Sequence, residues 1–355
     1  MLNHAANSAT PPKKILVVRL GAIGDVVRTL PALRLLRETW PDAEIRWAVE
    51  TAAAPLLEHH PDLDAVEIFD RKGVTEAARR WRLGAAGTVS RYLRQLREFA
   101  PDMAIDFQGS FKSGLLTYLS GAKRRYGFGR RDTREESQIF VNHRAVLPPE
   151  DVHRVRRAAF LARFAGARDA ELRAEIALTR EEMDEGERQR RILAGGRPTI
   201  ALAPFTSARQ AWKRYPLEKW ARCARLWLSS GRHVIVLAGP AEEEEARRLK
   251  EMAGGSVGIT ERSSLRQLAG LLAACDLFVG GDTGPMHMAW AVGTACVVVY
   301  GPTDARLNAP FGEGHEVLAP ARPTRRNDED KFPGISPEEI VERAETIIAR
   351  QSDVI

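Results

Sequence analysis

The sequence predicts an α/β protein of two domains, each a doubly wound parallel sheet. Three observations carry this reading. The chain has 355 residues, against roughly 100–200 for one domain. Short continuous apolar runs alternate with segments of helical period, the pattern of βαβ crossovers. The alternation comes as two series, separated by a highly charged stretch that ends in a glycine-rich turn.

Residues 1–14 contain Asn, Ser, Thr, Pro-Pro and Lys-Lys without an apolar core, so they read as a frayed terminus rather than a signal peptide. Residues 15–18 (ILVV) form a run of the kind buried in a parallel sheet. Val26, Leu30, Leu33, Leu36 and Trp40 then recur at steps of four, three, three and four, one apolar helix face. Further strands are expected at 45–49, 65–69 and 103–107, with a basic helical segment at 79–99 between the last two. Residues 179–193 (TREEMDEGERQRRIL) make a charged helix closed by Gly195-Gly196-Arg197-Pro198. The boundary is placed there, giving domains 1–178 and 179–335. Strands at 199–203, 233–238, 277–279 and 295–300 build the second series. Ser336 as N-cap, Pro337 and two glutamates open a last helix, 336–350, expected to pack back on the first domain.

Composition narrows the class. There are 53 basic against 47 acidic side chains, with 28% charged and 44% hydrophobic residues, which excludes a disordered, collagen-like or membrane-bundle chain. Residues 283–303 lack Asp, Glu, Lys and Arg, but Pro285, His287, Gly293 and Thr294 break them into a buried α/β segment rather than a membrane span. Cys223, Cys275 and Cys296 form no CxxC pair, so they read as buried thiols in a reducing compartment. A soluble protein is expected.

Three loops at strand ends carry candidate chemistry. In Arg19-Leu20-Gly21-Ala22-Ile23-Gly24-Asp25 the glycines allow a sharp turn, and Asp25 stands at a carboxyl strand end, where open α/β sheets bind ligands. A helix cap is the competing role for Asp25. Residues 204–216 (PFTSARQAWKRYP) bring hydroxyls and cations suited to phosphate oxygens, or else a solvated basic loop. Residues 280–289 (GGDTGPMHMA) run from a strand through a glycine turn into a helix whose free amides would face a diphosphate. His287 there reads as a site residue or as a satisfied core histidine.

Other signals fail. Residues 109–114 (GSFKSG) have P-loop glycine spacing, but Leu115 stands where Lys is required. The DxD segment 62–64 lies in a loop before a strand and 328–330 in a charged surface tract, so both read as solvated; no histidines have zinc spacing, and no GxSxG elbow occurs. No metal and no cofactor are expected.

Together the segments LGAIGDVVRTLPAL, AIDFQGSFKSGLLTYLSG, TSARQAWKRYP and GDTGPMHMA resemble the ADP-heptose:lipopolysaccharide heptosyltransferases of glycosyltransferase family 9. QGSFKSG and GFGRRDTRE look most like the heptosyltransferase I branch, which adds the first heptose to Kdo-lipid A. The resemblance implies a GT-B fold, two Rossmann-like domains facing across a cleft, with metal-independent, inverting transfer from ADP-heptose. It implies Asp25 as catalytic base. Lys213, Thr206 and Ser207 would contact the donor phosphates, Asp282, Thr283, Gly284 and His287 would form the donor loop, and Glu243 would hold the ribose. Glu243 lies in a run of four acids that leaves its register open. It also implies an anionic acceptor and work at the cytoplasmic face of the inner membrane. Six basic residues against one acid in 123–134, with Lys112 and the 153–156 segment (HRVR), offer an acceptor face; Lys112, Arg134 and Arg156 are its expected contacts. Two other classes remain to be weighed. An NAD-dependent dehydrogenase would need GxGxxG, which the glycine spacing here does not give. A nucleic-acid binder is invited by the pI of 9.4, but few aromatics interleave the cations, so no nucleic-acid partner is expected.

Overall fold

The structure is a computed structural model and describes residues 10–70, 84–150 and 152–352. By its contacts the chain divides into two units. One comprises Met1–Gly21, Thr29–Glu150 and Arg157–Leu172; the other comprises Ala22–Arg28, Asp151–Arg156 and Arg173–Ile355. The main division thus falls six residues before the expected one. Two short segments flanking the first sheet also count with the second unit.

The first unit holds a parallel sheet of β1 (Lys14–Val18), β2 (Glu44–Glu50), β3 (Ala65–Phe69), β4 (Met103–Asp106), β5 (Arg124–Phe128) and β6 (His143–Ala145), in the order β3-β2-β1-β4-β5-β6. Ile15 to Val18 are fully buried at its centre, between β2 and β4. That explains their unbroken apolar run. The expected helix through Val26 and Trp40 is two helices, α1 (Ile23–Val27) and α2 (Leu30–Thr39). Pro31 sits in the first turn of α2, where its missing N–H is harmless, and its ring bars continuation from α1. Tyr92, Leu96 and Phe99 of α3 (Gly84–Phe99) pack on Leu16, Val18 and Ala104; residues 79–83 of the expected basic helix lie outside the described residues. A Ser110–Ser113 capping box opens α4 (Phe111–Leu119), and α5 (Arg154–Phe164) follows β6. Strands β5 and β6 escape the sequence reading because Arg124 and Arg125 make β5 look like a basic loop. Arg125 instead donates to the carbonyls of Ala122 and Phe140, which flank the strand in sequence.

The second unit repeats the plan with β7 (Thr199–Ala203), β8 (His233–Val236), β9 (Gly258–Ile259), β10 (Leu277–Gly281), β11 (Cys296–Val299) and β12 (Glu316–Leu318), ordered β12-β11-β10-β7-β8-β9. The charged segment forms α6 (Arg180–Ala194), capped by Thr179 with Glu182. It packs against α9 (Leu265–Ala274) at Gly186 and Gly270, where a Cβ on Gly186 would stand 2.1 Å from the Gly270 carbonyl oxygen. Glu182 also accepts from Arg266 Nε at 2.6 Å. A helix that looked solvated is therefore locked to the second sheet. The remaining helices are α7 (Leu217–Ser229), α8 (Glu243–Ala253), α10 (Gly284–Ala291), α11 (Ala305–Asn308) and α12 (Pro337–Ser352).

Helix α12, expected to pack back on the first domain, belongs by its contacts to the second unit. Ile340, Ala344, Ile347 and Ile348 share a core with Trp220, Cys223 and Trp227 of α7. Arg232 Nη2 holds Glu345 at 2.5 Å on the rim of that contact. All three cysteines are free and buried. Among the described residues no helix is long and apolar enough to cross a membrane.

Candidate functional site

Strand order reverses between β7 and β10, and ligands of open α/β sheets bind beyond the carboxyl ends of the strands at such a point. A cavity of about 320 Å³ lies there. Thr206 and Ser207 after β7 line it, with Leu237 and Glu242 after β8 and with Thr283 and Gly284 at the start of α10. The first-turn amides of α10 and its positive dipole end make this wall a place for an anion. Thr283 Oγ1 is buried without a hydrogen-bond partner, and a ligand oxygen would satisfy it. Thr206 Oγ1 donates to Gln210 O at 2.9 Å, which leaves its lone pairs free to accept.

Asp282, one residue before that wall, is buried and paired with Lys213 Nζ at 3.2 Å. Burial alone would push its carboxyl up; His287 and the Lys213 ammonium hold it below its usual range. His287, 3% exposed, sits 3.7 Å from Asp282 Oδ1 and takes no part in lining the cavity. Burial, helped by the charge of Arg28, lowers it to about 4, so the ring is neutral at pH 7. Its surroundings agree. Arg28 Nη1 stands 3.1 Å from Nε2 and Trp290 Nε1 stands 3.3 Å from Nδ1, and both groups can only donate. A doubly protonated ring would face a donor at each nitrogen.

Arg28 links this buried cluster to Asp25. Its guanidinium holds the Asp25 carboxylate through Nη2 and donates through Nη1 to Asn308 Oδ1 at 2.6 Å. Arg154 Nη1 lies 3.6 Å from the same Asp25 oxygen. Ala22, not Asp25, occupies the N-cap position of α1, and the Asp25 side chain keeps about a quarter of its surface open. Helix α1 reaches this position because Gly24 lets it touch α10: a Cβ there would stand 2.3 Å from His287 Cδ2. Ile23 in turn abuts Gly284, a residue of the cavity wall. Gly24→Ala is expected to force the two helices apart, lowering stability by about 1–3 kcal/mol and kcat by tenfold or more, since small misplacements of reacting groups are costly. Thermal melts and steady-state kinetics check this; parental values for both would show that the contact is dispensable.

The sequence-based site residues are thus sorted. Thr206, Ser207, Thr283 and Gly284 line the cavity, while Asp25, Lys213, Asp282 and His287 belong to the adjoining charged cluster. Glu243 is not brought to the cavity: it pairs with Arg247 at 3.6 Å on the exposed side of α8, and its neighbour Glu242 lines the cavity, its carboxylate accepting from Gly239 N at 2.7 Å. Arg28, Arg154 and Asn308 were missed. The i,i+3 spacing of Asp25 and Arg28 was the available signal, because it puts both on one face of a helix. Lys112, Arg134 and Arg156 are all exposed. Arg134 N donates to Gly109 O at 2.8 Å, near the start of α4, whereas Arg156 falls in the other contact unit.

Comparison with known proteins extends this picture. Residues 89–332 match glycosyltransferase family 9 (heptosyltransferase). The chain is 29% identical over 311 residues to lipopolysaccharide heptosyltransferase 1 of Pseudomonas aeruginosa, covering 84% of this chain and 81% of that protein. It is 25% identical over 311 residues to the lipopolysaccharide core heptosyltransferase OpsX of Haemophilus influenzae, covering 87% and 84%. The solved structure of Escherichia coli heptosyltransferase WaaC with ADP superposes at a TM-score of 0.77 with 23% identity, covering 94% of this chain and 99% of that one. That likeness carries the fold, GT-B, with two Rossmann-like sheets. The chain belongs to glycosyltransferase family 9, the heptosyltransferases.

Proposed function

We propose that the protein transfers a heptosyl group from ADP-heptose to the Kdo/lipid A inner core of lipopolysaccharide, with inversion at the anomeric carbon and without a metal ion. The observation that carries this is an accessible carboxylate, Asp25, on a helix that abuts the wall of an anion-suited cavity. The wall's amides, Thr206, Ser207 and Thr283 would receive the diphosphate, and Glu242 is placed for the ribose hydroxyls. Arg262 lines the cavity as a cation, and Lys213, paired with Asp282, is a second one nearby. Asp25 would take the proton from an acceptor hydroxyl as its oxygen attacks the anomeric carbon, opposite the departing ADP. ADP leaves as an anion, so no general acid is needed; Lys213 and the donors of the wall stabilise its growing charge. In this reading Arg28 and His287 act through their neighbours, Arg28 orienting Asp25 and His287 buttressing Asp282. The acceptor carries carboxylates and phosphates, which Lys112, Arg134 and Arg156 would bind. An amphiphilic acceptor of this kind would bring the enzyme to the cytoplasmic face of the inner membrane.

Incubation with ADP-heptose and Kdo₂-lipid A, read by mass spectrometry, should show the acceptor gaining one heptosyl unit at a rate unchanged by EDTA. NMR of the product should show the anomeric configuration opposite to the donor's. No transfer would overturn the substrate assignment. Loss of transfer in EDTA would overturn metal independence, and a retained configuration would overturn inversion.

A further inference from the structure

Helix α4 is amphipathic in the wrong sense for a surface helix. Its buried face is Ser113, Gly114, Leu116 and Thr117, while Phe111 is 45% and Tyr118 is 54% exposed, with Leu115 half-buried between them. Apolar residues at i, i+4 and i+7 therefore share the outer face. The turn at Ser137–Phe140 extends this face. Ile139 is 59% exposed, and the Phe140 ring lies 5.1 Å from Phe111 and 6.3 Å from Tyr118. The backbone makes room for that contact. A Cβ on Gly114 would stand 2.9 Å from Phe140 Cδ2, and the turn is entered through two successive non-glycine residues at positive φ, Glu135 (54°) and Glu136 (55°). Such conformations are strained for non-glycine residues, so the patch is held together against local strain.

Its charge says what it meets. The Arg125 guanidinium lies 5.3 Å from the Tyr118 ring, Lys112 is exposed within the helix, and Arg131 and Arg134 are exposed on the preceding loop. The nearby acids Glu135, which accepts from Phe111 N at 3.2 Å, and Glu136 are both exposed, and the four cations Lys112, Arg125, Arg131 and Arg134 outnumber them. Aromatic and aliphatic side chains rimmed by cations match the interface of an anionic bilayer, where rings sit at headgroup depth and Lys and Arg are drawn to anionic headgroups. A two-fold contact between copies would set these cations against one another.

We propose that α4 and the Ser137–Phe140 turn form a docking face for an anionic lipid surface. The inference rests on the reading that the acceptor is embedded in lipid, and it names the part of the chain that reaches it. The test is sedimentation with phosphatidylcholine vesicles, with and without phosphatidylglycerol, using wild type and the double variant Tyr118→Ser/Ile139→Ser. Wild type should bind the phosphatidylglycerol vesicles preferentially, and the variant should bind them at least tenfold more weakly. The variant's kcat and KM on a deacylated, water-soluble acceptor should equal wild type, which also reports an intact fold, while its KM for vesicle-borne acceptor rises. Equal vesicle binding by the two proteins would overturn the proposal. So would a wild-type dimer that the double substitution dissociates. If neither protein transfers heptose to the soluble acceptor, the functional reading fails instead, and the vesicle comparison still decides the docking face.

Discussion

Asp25→Asn is expected to lower kcat by about 10²–10⁴-fold, the range for loss of a general base, with ADP affinity and Tm near parental. The substitution keeps the shape of the side chain and an oxygen that can still accept from Arg28. It removes the basicity and the negative charge. Two cations, Arg28 and Arg154, converge on this carboxylate. If Asp25 served only to neutralise them, the Asn variant would melt at a lower temperature, and its turnover would fall only as far as the folded fraction does. Turnover at the parental rate with a lowered Tm would assign Asp25 that purely structural role. A large kcat loss at unchanged Tm separates the two.

Much of the fold was legible because parallel strands buried on both faces must be continuously apolar, as residues 15–18 and 200–203 are. Strands toward the ends of the sheets escape that rule. Arg124 to Phe128, one strand in from the edge, and Glu316 to Leu318, at the edge, carry polar residues and pass for loops. The glycine turns at Gly21–Gly24 and Gly280–Gly284 stood out in the sequence because close backbone approach demands small residues. The partners of those loops were not. That Gly24 is required by His287, far away in sequence, is a tertiary fact without a local trace. The run GPAEEEE shows a limit of sequence reading: one step along a helix turns a side chain by about 100°, and here Glu242 lines the cavity while Glu243 pairs with Arg247. The docking of α12 was equally hidden, since its apolar stripe fits a helix of either sheet, and the complementary surface on α7 decides.

Lys213→Ala should lower kcat by about 10²–10³-fold, the usual loss when one donor to a developing anion is removed, and should weaken ADP binding as well. A phosphate counter-charge acts in the ground state and more strongly in the transition state, so kcat and affinity should fall together. The pairing of Lys213 with buried Asp282 complicates the outcome in a useful way. Without the ammonium, Asp282 loses one of the two groups that hold its carboxyl down, and removing one partner of a buried pair typically destabilises by about 3–5 kcal/mol. His287 and Asn308 Nδ2, at 3.5 Å, remain beside Asp282 and soften that loss. Calorimetric ADP titration well below the variant's Tm distinguishes the roles. Weakened ADP binding by folded protein places Lys213 on the diphosphate. Parental ADP affinity and turnover, with a depressed Tm, would reduce Lys213 to the counter-ion of Asp282 and leave the leaving group to the hydroxyls and amides of the cavity wall.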